Sequence, residues 1–154
     1  MATKVTRLHR FRVPLLFGIL FIGFGLLLTQ CPANRDGMPG QLAQSMKETT
    51  SAARSAALAL DLWLQGRSTN QLTSVQISDA RQNVAKAYKE IADLEGDDPA
   101  DLRRQQMLTG SMTTIIGQLN AASATLRRVT TRPDLASIRD ALLASAEALE
   151  NGYH

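Results

Sequence analysis

Residues 41–64 read QLAQSMKETTSAARSAALALDLWL. Small or apolar side chains recur there at alternating steps of four and three: Leu42, Met46, Thr49, Ala53, Ala56, Leu60 and Trp63. That spacing is the signature of an amphipathic helix with one buried face. At about 100° per residue, Leu60, Trp63 and Leu64 are expected to face a core. Leu58 and Leu62 depart from the pattern, each about 160° from Leu60, on the face that should meet water. Two leucines on adjacent turns beside a buried Trp mark a candidate partner interface.

Toward the C-terminus the same period returns three times. Gly66 and the polar RSTN stop the first helix. The second series is Ile77, Ala80, Val84, Ala87, Ile91 and Leu94, opened by Thr73 or Ser74 as N-cap. Gly96 and Asp97-Asp98-Pro99 close it, and Asp98-Pro99 starts the next helix with a capping oxygen and a residue tolerated in a first turn. The third series runs Leu108, Met112, Ile115, Leu119, Ala122, Leu126 and Val129, with Arg127 and Arg128 near its C-terminus, where cations complement the dipole. Thr131-Arg132-Pro133-Asp134 breaks it, and Leu135, Ile138, Leu142, Ser145 and Leu149 form the last series, ended by Asn151-Gly152. Four amphipathic helices on short turns predict an all-α, up-down-up-down four-helix bundle over residues 41–152, with an open array of helical hairpins as the alternative.

Toward the N-terminus, residues 33–40, ANRDGMPG, read as a linker. Before it, VPLLFGILFIGFGLLL spans residues 13–28 without a charged or strongly polar side chain. Extended to Pro32, the segment is long enough to cross about 30 Å of hydrocarbon as a helix. Gly18, Gly23 and Gly25 leave shallow grooves on that helix and are candidates for contact with another membrane helix. Lys4, Arg7, Arg10 and Arg12 make residues 1–12 a basic tail, which predicts a cytoplasmic N-terminus and an extracytoplasmic bundle. The competing reading is a cleaved secretory signal, but the apolar run exceeds a usual signal core and no small-x-small site follows it. Gln30 stands where a lipoprotein signal carries a small residue, so Cys31 is expected to be a free thiol at the outer membrane boundary. A lone Cys also excludes an intrachain disulfide.

The net charge of +3 belongs to that tail: without its four cations, 13 basic residues face 14 acidic ones, so no nucleic-acid footprint is expected. The only histidines are His9 and His154, and no Glu-x-x-His pair, Ser–His–Asp arrangement or inward haem ligand can be assembled. Met46 and Met112 lie on apolar stripes and read as core. Asp93, Glu95, Asp97, Asp98 and Asp101 lack the alternation and final Glu of a calcium loop and read as a solvated turn. No enzyme, metal, cofactor or small-molecule substrate is expected.

The basic start, VPLLFGILFIGFGLLLTQCP (13–32), DGMPGQLA (36–43) and ALALDLWL (57–64) together resemble the LucB-like single-pass accessory subunits of actinobacterial Mce-type lipid importers. The resemblance implies a helper of the permease subunits of a lipid or fatty-acid importer, without a transport site of its own, and no family motif assigns residue roles. Two other readings stand beside it. One is an accessory subunit of a different envelope complex, such as a respiratory supercomplex. The other is a lipoprotein-like extracytoplasmic binding module, which needs a cavity that a slim bundle is not expected to hold. A ligand-sensing receptor domain would need a second membrane helix or a cytoplasmic output domain, and neither is expected here.

Overall fold

In the computed structural model, residues 37–153 are described. The expected membrane segment, Gly18, Gly23, Gly25 and Cys31 lie outside them. Four helices account for nearly all of the described chain: α1 (Gly37–Leu64), α2 (Asn70–Ala92), α3 (Pro99–Leu126) and α4 (Leu135–Gly152). Among the described residues, no helix is long and apolar enough to cross a membrane.

Each helix packs on its sequence neighbours and α4 returns to pack on α1, so the four close into an up-down-up-down bundle and not an open array. α1 also touches α3 across the diagonal, whereas α2 and α4 do not meet. Composition explains that flattening. The buried face of α1 carries Ala52, Ala53, Ala56, Ala57 and Ala59, which let a helix opposite approach closely. Because α1 has three neighbours, its buried arc is wide. α2 has two neighbours and buries a single stripe, Thr73, Ile77, Ala80, Val84, Ala87 and Ile91. The larger core side chains come mostly from α3 and α4: Leu108, Met112, Ile115 and Leu119 with Leu142 and Leu149, all fully enclosed.

The helix ends are where the structure departs from the sequence reading. α1 begins at Gly37, inside the expected linker, because Pro39 falls in the first turn, where its missing N–H leaves no bond unmade. α1 ends in a Schellman turn at Gly66 (φ +70°), with Gly66 N–H donating to Trp63 O (2.9 Å) and Arg67 N–H to Leu62 O (2.8 Å). That ending leaves Leu64 at 41% exposure instead of in the core, and Trp63 half-buried. The N-cap of α2 is Thr69, not Thr73 or Ser74. Its hydroxyl accepts from Leu72 N–H (3.2 Å), while the buried Thr73 hydroxyl bonds Ser68 Oγ (2.9 Å). α3 ends in a second Schellman turn, this one around Arg128 (φ +58°), with Arg128 N–H on Thr125 O (3.0 Å) and Val129 N–H on Ala124 O (2.9 Å). Val129, expected on the core stripe, is thereby carried out to 76% exposure. On α4 the fully buried position is Ala146, and Ser145 is half-buried beside it.

Asp98 caps α3, accepting from Ala100 N–H at 2.8 Å, as the Asp-Pro pair predicts. Asp134 caps α4, accepting from Ser137 N–H (2.9 Å) and Ser137 Oγ (3.1 Å). Those two bonds, the backbone one first, hold its carboxyl below the ordinary value of 3.8. A depressed carboxylate pKa stabilises the fold above the unfolded value, and that stability is lost as pH falls through the folded one. Asp134→Ala is therefore expected to lower Tm by about 5 °C at pH 7. The gap from wild type should shrink as thermal melts are repeated at pH values falling below about 4.

Candidate interaction surface

The solvent face of α1 runs through Leu58, which is 59% exposed, while Leu60 two residues on is fully buried. Helical spacing places Arg54, Leu58, Asp61 and Gln65 on one stripe beside α4. The first and third of these are tied across the α1–α4 seam. Arg54 grips Glu150 with both terminal nitrogens (2.7 and 2.6 Å), and Arg139 Nη1 donates to Asp61 Oδ1 at 3.0 Å. Gln65 Nε2 donates to the other Asp61 oxygen at 2.6 Å. Asp140, then Asp61, push the Arg139 guanidinium further up from its ordinary value. These exposed pairs contribute little stability individually, yet they fix the register of α4 on α1 around Leu58.

Leu62, read as equally exposed, is half-buried. It follows Glu48 and Ser55 at seven-residue steps, and those two line the groove between α1 and α2. α2 answers with Leu72, 53% exposed, one turn before Gln76 and two before Asp79 of the same groove. On the other flank Leu143 of α4, 44% exposed, stands one turn beyond Arg139. The sequence reading singled out Leu58 and Leu62 but not Leu72 or Leu143. The available signal was the same in all four: a leucine on the polar side of its own helical stripe.

Elsewhere the polar chemistry is internal. Gln105 Nε2 donates to Ile91 O (2.6 Å) at the end of α2 and to Leu94 O (3.0 Å) just beyond it. Asn70 Nδ2 donates to Leu126 O (3.4 Å), joining the start of α2 to the end of α3. Gln118 Nε2 donates to Ser145 Oγ (2.8 Å) beside a shallow hollow of about 480 Å³ between α3 and α4, and its buried Oε1 has no partner. In the acidic turn, Asp98 is a cap and Asp101 pairs with Arg104 at 3.0 Å. Among the described residues, no three His, Cys, Asp or Glu side chains converge as a metal site. No protein-family model, curated protein or solved structure matches the chain.

Proposed function

We propose that this chain is a non-catalytic, single-pass accessory subunit of a larger bacterial envelope complex, with a Mce-type lipid importer as the best candidate. The observation that carries the reading is the pairing of two segments in one chain. The uncharged apolar run of residues 13–28 follows four cations, and it precedes a closed helical bundle. The run suits an anchor in the cytoplasmic membrane with the N-terminus inside, and the bundle then stands on the extracytoplasmic side. Support for a protein partner comes from Leu58, exposed on α1, with half-buried Leu62 one turn on and exposed Leu72 and Leu143 on the neighbouring helices α2 and α4. The importer assignment rests on the sequence resemblance of the anchor, the DGMPGQLA segment and ALALDLWL.

An uncleaved anchor has a direct test. The protein is expected to stay in membranes through an alkaline carbonate wash, and its intact mass should equal that of the unprocessed chain, allowing for loss of Met1. A mature species beginning after residue 30 would overturn the anchor, and lipid on Cys31 would convert the reading to a lipoprotein.

A further inference from the structure

The outward face of α3 has a character unlike the other three helices. From Gln105 to Leu126 it carries no charged residue. Its exposed stripe runs through Gln106, Gly110, Thr113, Gly117 and Asn120, with Thr114 beside it. The two threonine hydroxyls are turned back onto their own helix, Thr113 on Thr109 O (2.9 Å) and Thr114 on Gly110 O (3.2 Å). They can therefore leave water without losing a partner. Gly110 and Gly117 are the telling positions. Glycine inside a helix costs about 1 kcal/mol relative to alanine. Neither residue has a positive φ, and a Cβ added at either would meet nothing within 4 Å. Packing among the described residues does not account for them, although Gly117 borders the hollow between α3 and α4. Close approach by another backbone does.

Charge says which backbone. The turns at the two ends of α3 are opposite in sign. Residues 93–104 hold five carboxylates against two arginines, and Asp93, Glu95 and Asp97 are exposed without an ion pair among the described residues. At the other end, Arg67 of the α1–α2 turn joins Arg127, Arg128 and Arg132, all exposed and without an ion pair among the described residues, against Asp134 alone in those turns. The bond from Asn70 to Leu126 O holds those two turns together. An apolar residue stands exposed at each end, Leu102 at 42% and Val129 at 76%. The face is thus complementary to itself when reversed.

We propose that α3 is a homodimer interface, on which a second copy of this chain lies antiparallel, closing the pair by twofold symmetry. With Gly110 set against Gly117 of the second copy, the register brings Arg127 opposite Ala100, beside the acidic turn, and Arg103 opposite Ala124. The twofold axis repeats the first of these contacts, so Arg127 of each copy lies beside the acidic turn of the other. The interface stands on the fold and is independent of the importer reading.

The test is the mass of the full chain in a neutral detergent or nanodisc, by sedimentation or light scattering. Wild type is expected to be a dimer at about 0.1 M salt. Its dissociation constant should rise about tenfold or more at about 1 M, where the Debye length shrinks to about 3 Å. Gly110→Leu with Gly117→Leu should give a monomer that melts no lower than wild type, since leucine favours the helix and no described residue lies within 4 Å of the added Cβ. Arg127→Glu with Arg128→Glu should be monomeric alone, as should Glu95→Lys with Asp97→Lys, and mixing the two variants should restore a dimer. A wild type that is monomeric at about 0.1 M salt would leave the face to some other partner and overturn the proposal. So would a glycine variant that still dimerises, as through the membrane segment, one that melts early, or a mixture that does not pair.

Discussion

Replacing Leu60 with alanine is expected to lower bundle stability by about 2–5 kcal/mol, a fall in Tm of about 10 °C or more for a domain of this size. The reason lies in α1's composition. This helix touches all three others, yet most of its buried residues are Ala, Ser or Thr, and only Leu42 and Leu60 bring a large, fully enclosed side chain. Truncating Leu60 removes buried apolar area and leaves a cavity. The flanking Ala56, Ala57 and Ala59 have no flexible side chains to move into it, so the loss is expected in full. Leu58→Ala is the control. At 59% exposure it should change Tm by little. Thermal melting of the two variants followed by circular dichroism separates them. Equal melting temperatures would mean that α1 is rotated from the phase described.

How far the bundle could be read from sequence depended on what marked each feature. The interior of each helix was legible, since a buried stripe repeats over many residues and a few interruptions do not hide it. Closure of the bundle followed from short turns. The Asp98-Pro99 start and the Gly66 stop were legible because each uses a residue type that suits few other positions. The end of α3 was not. There the left-handed residue is Arg128, which carries no such mark, so the apolar series seemed to continue to Val129. Thr69, Thr73 and Ser74 offer the same capping oxygen, and only the backbone decides among them. Leu62 was misjudged for a related reason. A wheel built on one core direction assumes a narrow buried arc, whereas α1 faces three neighbours. The glycines of α3 passed unread because a glycine that costs a helix stability looks the same in sequence as one with a packing role.

The functional reading makes its largest demand on Leu58 and Leu62. Fully burying a leucine contributes roughly 1.5–3 kcal/mol, and each 1.4 kcal/mol is about tenfold in affinity. Leu58 has most of its surface to give, and half-buried Leu62 has less. Changing both to serine is therefore expected to weaken a partner complex by tens-fold, with a modest fall in Tm from the buried part of Leu62. The most direct measurement is native purification from membranes through a C-terminal tag, comparing the integral membrane proteins recovered with wild type and with the Leu58→Ser, Leu62→Ser variant, alongside the melting temperature of each. Wild type is expected to bring down a defined membrane complex, and the variant to lose it while still melting as a folded bundle. Full recovery of that complex by a variant that melts normally, or a wild type that brings down no membrane protein, would contradict it.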